Sequence, residues 1–177
     1  GIVYVASERQ YIEEAIKSSR TARAIGIKTC IFCDNKSSLK KHFDIIAPLK
    51  KSTGSFIDKI YPLQKTPFYN TVFLDTDTIV LNDIKEIFAL LSRFDLCYCH
   101  APVRVNQRIE LDEVPPSFVQ PNTGVIGYKK TPSVVDFLKS WLKIYKQHLE
   151  YISPSPNDQP AFQTALWDSD LNTYVLP

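Results

Sequence analysis

The order of the first three segments constrains the fold more than any other feature. "GIVYVAS", residues 1–7, is an apolar, β-branched run that closes in small and polar residues, as a buried parallel strand does when it reaches a loop. Behind it, Ile12, Ala15, Ile16, Ser19 and Ala22 recur at helical spacing, with Glu13, Glu14, Lys17 and Arg20 around the rest. Gly26 supplies a stop, and "KTCIFCD" is a second strand. Strand, helix and strand in that order make a right-handed βαβ unit, and so predict an α/β fold with a mainly parallel central sheet flanked by helices. A chain of 177 residues, 44% of them hydrophobic, is long enough for one domain with a full core.

The same alternation continues. Residues 35–69 are mixed, with a short strand at Phe43–Ile46 and a helix over Phe56–Leu63. After "TVFLDTDTIV", Asp83 and Glu86 have the spacing of a capping box ahead of the helix "IKEIFALLSRF". "DLCYCHA" is a further strand, a polar, proline-containing loop runs from Pro102 to Pro121, and "TGVIGYKK" returns to strand. Thr131 and Pro132 open a long helix with Val134, Phe137, Leu138, Trp141, Leu142 and Tyr145 on its apolar face. "SPSPND" is a loop and "QPAFQTALW" a short helix.

Within this pattern the stretch "NTVFLDTDTIVLND" places two like charges, Asp75 and Asp77, inside a strand-forming run. On a strand they point to one side, about 6 to 7 Å apart. At an effective dielectric near 20 they repel by roughly 2.5 kcal/mol. Access of water, protonation of one, or a cation between them relieves that cost. Mg²⁺ or Mn²⁺ suits two carboxylates and completes its shell with water and phosphate oxygens. Two turn aspartates bonded to their own backbone fit the pair equally well. The apolar flanks, Val72, Phe73, Leu74, Ile79, Val80 and Leu81, argue for a central position, and sites in open α/β sheets lie at the carboxyl ends of strands.

Several spaced motifs, "IVYVASERQYIEEA", "IFCDN", "DKIYPLQKTPFYNTVFLDTDTIV", "PNTGVIGYKK" and "NDQPAFQTALW", together resemble GT-A (Rossmann-like) glycosyltransferases, in particular the family 8-like nucleotide-diphospho-sugar transferases related to glycogenin. The resemblance covers nearly the whole chain. It implies a catalytic domain over residues 1–177, open to truncation at its C-terminal end, with metal-dependent transfer of a sugar from a nucleotide-diphosphate donor, a UDP-sugar, to a glycan or other hydroxyl acceptor with retention. The cofactor it implies is Mn²⁺ or Mg²⁺, held by Asp75 and Asp77, with Asp75 also near the ribose.

By the same resemblance Val5, Ala6 and Ser7 form the nucleotide-facing edge, Tyr11 covers the nucleobase, Asp34 bonds base or ribose, and Lys59, sixteen residues before Asp75, reaches the diphosphate. Asn122, Thr123 and Gly124 line the sugar pocket, and Asp158 and Gln159 stand near the anomeric carbon. Asp158 ahead of Gln159-Pro160 is also a good helix cap. The related enzymes supply a third metal ligand, a histidine near the end of the domain, and none of His42, His100 or His148 has such a context. Asp112 or Glu113 is the candidate base should transfer invert.

"VFLDTDTIV" also nearly fits the motif of haloacid-dehalogenase-like phosphatases, with Asp75 as nucleophile and Asp77 as acid, but that motif follows the first strand of its sheet. A non-catalytic nucleotide-sugar-binding module is the third reading. A net charge of +2, from 21 basic and 19 acidic residues, gives no reason to expect nucleic acid as a partner. Lys40/Lys41, Lys50/Lys51 and Lys129/Lys130 read as solvated faces.

The apolar runs are too short for an integral membrane segment and no leader opens the chain, so a cytoplasmic protein is expected. The start at Gly1 and the absence of methionine predict native ends beyond these residues. Cys30 and Cys33 are spaced C-x-x-C, yet lie on a strand where residues three apart face opposite ways. With Cys97 and Cys99 they read as buried thiols.

Overall fold

The computed structural model describes residues 1–34, 39–49, 52–102, 114–151 and 157–177. Seven strands form one sheet: β1 (Ile2–Val5), β2 (Thr29–Cys33), β3 (Ile45–Pro48), β4 (Asn70–Leu74), β5 (Leu96–His100), β6 (Pro121–Lys129) and β7 (Thr173–Val175), in the order β3-β2-β1-β4-β6-β5-β7. β1 runs parallel to both β2 and β4, β2 to β3, and β5 to β7, whereas β6 is antiparallel to β4 and β5. The sheet is therefore mainly parallel, with β6 the reversed strand. Its reversal brings Asn122–Gly124 back to the carboxyl end of β4.

Strand alternation divides the core. Val3, Cys30, Phe32, Phe73, Tyr98 and Ile126 face a layer that includes α2 (Ile57–Leu63), α4 (Pro132–Tyr151) and α5 (Gln159–Trp167), and Trp141, Tyr145 and Phe162 are fully buried there. Ile2, Tyr4, Ile31, Cys33, Val72 and Leu74 face α1 (Arg9–Ala24) and Ile87 of α3 (Glu86–Leu90). Cys30 and Cys33 thus enter opposite layers as buried cysteines outside any disulfide, as strand geometry requires. Burial pushes the Cys30 thiol up to about 12, with a smaller contribution from Cys33.

Three local expectations need correction, and one strand has no signal in the sequence. β3 begins two residues later than expected because Phe43 is a core residue of the preceding turn, while the Asp44 carboxylate accepts the Thr29 N–H at 2.8 Å and fixes where pairing starts. The Asp83/Glu86 capping box does not form: Asp83 accepts the Lys85 N–H at 2.8 Å in a tight turn, and the helix is five residues long. Lys129 is a half-buried anchor rather than part of a solvated face, its Nζ 3.1 Å from Asp95, whereas Lys130 is exposed and its Nζ donates to the Thr66 carbonyl at 2.7 Å. β7 had no counterpart in the sequence reading, because its three half-exposed residues carry no alternation strong enough to mark a strand. Lys50 and Lys51, Asp112 and Glu113, and most of the serine-proline turn lie outside the described residues.

Candidate active site

The chain passes outward from β1 through β2 to β3 and then returns to the other side of β1 as β4. This reversal opens a crevice beyond the carboxyl ends of β1 and β4, where α/β sheets bind ligands. A cavity of about 550 Å³ lies there. Val5, Ala6 and Ser7 from the end of β1, Tyr11 from α1, Lys59 from α2, and Asp75 and Asp77 beyond β4 all line it, so seven of the predicted residues meet in one place. Tyr11 is 45% exposed and borders the cavity rather than the core. Asp34 stands exposed just past β2 and is not among the lining residues.

The aspartate pair does not sit on a continuous strand. β4 ends at Leu74, and residues 75–78 form a turn in which the Asp75 carbonyl accepts both the Thr78 N–H at 3.2 Å and the Thr78 hydroxyl at 2.8 Å. The two carboxylates reach the same cavity through this turn and not through the pleat. The second apolar flank is not buried either, with Ile79 59% and Leu81 86% exposed. Helix α1 holds the turn: Ser18 Oγ is 3.2 Å from Thr78 Oγ1, Thr76 donates to Glu14 at 3.0 Å, and Thr21 Oγ1 accepts the Val80 N–H at 3.0 Å.

Lys59 is the centre of charge. Its ammonium lies 3.2 Å from Asp158 Oδ2, 3.4 Å from Asp75 Oδ1 and 3.2 Å from Thr123 Oγ1, with the rings of Phe56 and Phe73 within 5.6 Å. Burial works to lower the affinity of this amine for its proton, but Asp158 and Asp75 outweigh it and hold Lys59 above the ordinary lysine range. Asp75 is also held above its ordinary range. Burial is the largest cause; Lys59 opposes it, and the nearby Asp158 and Asp77 carboxylates add to it. One lysine shared between two carboxylates cannot fully offset both.

Asp158 is 1% exposed and heads α5, but its side chain makes no cap hydrogen bond. Asn157 Oδ1 accepts the Gln159 N–H at 2.8 Å instead, leaving the Asp158 carboxylate turned to Lys59. The Asp158 carbonyl accepts the Trp141 indole N–H at 3.2 Å, which fixes the helix start against α4. Gln159 is buried, and its Oε1 has no hydrogen-bond partner among the described residues. Asn122 Oδ1 accepts the Gly124 N–H at 2.7 Å, and the Gly124 carbonyl accepts the Asp75 N–H at 2.8 Å. A Cβ at Gly124 would stand 3.1 Å from Asp75 Oδ2, so the close approach this glycine allows is that of Asp75.

Residues 52–58 form a wall of the cavity that the motifs did not indicate. Asp58 accepts hydrogen bonds from Ser52, Thr53 and Gly54, so the wall is held by one carboxylate. A polar, glycine-containing stretch ahead of a helix was the available signal. With Glu8, Glu14, Asp58, Asp75 and Asp77 lining it against Lys59, the cavity is strongly acidic.

Asp75 and Asp77 supply the hard oxygen donors that Mg²⁺ or Mn²⁺ takes, and both open onto the cavity, so the pair fits such an ion. Among the described residues no group of three or more His, Cys, Asp or Glu is arranged to hold a metal ion.

No protein-family profile matches the chain, and no curated protein matches it. Solved structures do. The glycosyltransferase GlyE of Streptococcus pneumoniae TIGR4 superposes with a TM-score of 0.69 at 13% identity, over 99% of this chain and 44% of GlyE. The apo form of the bifunctional glycosyltransferase WbbM gives 0.66 at 12% identity, over 99% of this chain and 38% of WbbM. An active-site mutant of LgtC gives 0.64 at 12% identity, over 98% of this chain and 71% of LgtC.

The chain has the GT-A glycosyltransferase fold. It spans less than half the length of GlyE and WbbM. At these identities the likeness establishes the architecture, and the chemistry has to be argued from the site. No helix among the described residues is long and apolar enough to cross a membrane.

Proposed function

We propose that this domain transfers a sugar from a nucleotide-diphosphate donor, a UDP-sugar, to a hydroxyl acceptor, with retention at the anomeric carbon, as in the family 8-like enzymes related to glycogenin. The observation that carries this reading is the placement of Lys59. Its buried ammonium joins Asp75 at the cavity to Asp158 at the start of α5, which is where a leaving diphosphate and the sugar it leaves would meet. The neighbours reinforce the class: LgtC, described as a galactosyltransferase, has been solved with donor and acceptor sugar analogues.

Each residue then has a defined task. Tyr11 offers its ring to the base, and Ser7 with the ends of β1 borders the nucleoside. Asp75 and Asp77 would hold Mn²⁺ or Mg²⁺, which when bound acts as a Lewis acid on the diphosphate oxygens. An acidic cavity requires such a cation, because a diphosphate entering against five lining carboxylates and one lysine is otherwise repelled. Lys59 offsets the charge that grows on the diphosphate as the glycosidic bond breaks. Asp158 and Gln159, with the Asn122–Gly124 segment, border the sugar.

The deciding experiment measures nucleoside-diphosphate release from UDP-, GDP- and dTDP-sugars with Mn²⁺, with Mg²⁺ and with chelator. Metal-dependent release from a UDP-sugar supports the reading. Binding of UDP without release from any donor, even with varied acceptors, identifies a binding module. Phosphate release from simple esters, lost in Asp75→Asn, identifies a phosphatase.

A further inference from the structure

Tyr4 stands on β1 with its side chain in the apolar layer under α1, fully buried, its ring meeting that of Phe43 edge-on at 5.9 Å. A phenylalanine would fill that place, so packing does not account for the hydroxyl. The Tyr4 hydroxyl lies 2.9 Å from Ser18 Oγ, Ser18 Oγ lies 3.2 Å from Thr78 Oγ1, and Thr78 Oγ1 lies 2.8 Å from the Asp75 carbonyl oxygen. Counting protons gives this chain a direction. A carbonyl only accepts, so Thr78 donates to Asp75, and a hydroxyl has one proton to give. Ser18 must then donate to Thr78, and Tyr4 to Ser18. The chain begins on the central sheet and ends on the main chain of Asp75.

Ser18 belongs to a row on α1 that grips the same turn. Glu14, Ser18 and Thr21 are four and three residues apart, which aligns them along one side of the helix. They hold Thr76, Thr78 and the Val80 N–H, alternate residues of the segment after β4. Asp75 and Asp77 alternate with these and line the cavity. The Asp75 N–H is held as well, donating to the Gly124 carbonyl at 2.8 Å. The row fixes the turn to α1, and the Tyr4 hydroxyl fixes α1 to the sheet at the height of that turn.

We propose that Tyr4 is a positioning residue for the divalent cation, fixing the Asp75 peptide through Ser18 and Thr78 and with it the spacing of the Asp75 and Asp77 carboxylates, an assignment that rests on the metal-dependent reading above. Tyr4 itself touches neither ion nor donor. Two like charges drift apart unless their backbone is held, and an ion that demands near-ideal octahedral geometry is sensitive to that spacing. Side chains that lock a site from behind supply the required precision.

The test is calorimetric titration with UDP, in Mn²⁺ and in chelator, well below the unfolding midpoint. The proteins are the wild type, Tyr4→Phe, Thr78→Val, Thr78→Ser, Tyr4→Phe/Thr78→Val and, as a packing control in the same layer, Ile31→Val. The ratio of the two UDP affinities isolates the contribution of the metal. Tyr4→Phe should lower this ratio by about twofold to tenfold, the range one hydrogen bond spans, with the affinity in chelator unchanged. Thr78→Val should lower it further, and Thr78→Ser, which keeps the hydroxyl, should restore it. With the Thr78 hydroxyl gone, adding Tyr4→Phe should leave the ratio where Thr78→Val put it, because the two act through one chain. Ile31→Val should lower the unfolding midpoint and leave the ratio alone, which is also the behaviour of a tyrosine that only packs. An unchanged ratio in Tyr4→Phe, or effects that multiply in the double variant, overturns this inference alone. Wild-type UDP binding that Mn²⁺ does not strengthen overturns the metal-dependent reading with it, and no binding of UDP overturns the donor reading.

Discussion

Replacing Lys59 with methionine keeps the apolar stem and removes the charge. Lys59 Nζ lies 3.2 Å from Asp158 Oδ2, a distance worth about 5 kcal/mol of attraction at an effective dielectric of 20. Desolvation offsets much of this in the intact pair, but the variant leaves the Asp158 carboxylate, 1% exposed, without its counter-charge. Breaking a buried pair from one side costs about 3–5 kcal/mol. For a domain of this size that lowers the unfolding midpoint by roughly 6–20 °C. Chemical and thermal denaturation followed by circular dichroism would measure it.

Two controls carry the reasoning further. In Lys59→Met/Asp158→Asn both charges are gone, so most of the stability should return, giving a coupling of more than about 1 kcal/mol in the double-mutant cycle. Alkaline pH supplies the second control: Lys59 is held above its ordinary range in the folded protein, so its contribution is present at neutral pH and lost as pH climbs through its folded-state value. A single variant that costs less than about 1 kcal/mol, or two changes that simply add, would refute the buried-pair argument.

Other consequences can be checked separately. Asp77→Asn should abolish metal-dependent UDP binding in calorimetry while leaving the unfolding midpoint the same or higher, because Asp77 is exposed and its removal relieves repulsion on Asp75. Gly124→Ala places a Cβ 3.0 Å from Asn122 Oδ1 and 3.1 Å from Asp75 Oδ2, so donor affinity should fall with a stability loss near 1 kcal/mol, the Asp75 carboxylate having to give way. Gly127→Ala meets the Ile87 side chain at 2.9 Å on the far side of the sheet, and should cost about 1–3 kcal/mol with no change in ligand affinity once folded. In thiol titration Cys99 should react first. Cys30, pushed up to about 12 by burial, should wait for unfolding.

The sequence by itself determined the layers of this protein and pointed to several of the residues that line its cavity. β-Branched runs broken by helical periodicity required a parallel sheet between helices, because those elements can bury their apolar sides in few other ways. Asp75 and Asp77 were legible as charged groups at the end of a buried strand, and Lys59 and Tyr11 through their places in spaced motifs that resemble a known family.

Tertiary structure alone decided how those residues act. The aspartates share a cavity through a turn locked by Thr78 and α1, not through strand pleat, since Thr78, Ser18 and Glu14 meet only after α1 packs beside β4. Asp158 could cap its own helix or pair with Lys59, and the two options are indistinguishable until α5 docks on α4 and Asn157 takes the cap. The Asp58 wall depends on donors from residues 52, 53 and 54 converging. Local sequence encodes which groups are present. Which partner each finally holds is a competition among distant neighbours, and only the folded chain brings the competitors within hydrogen-bond reach.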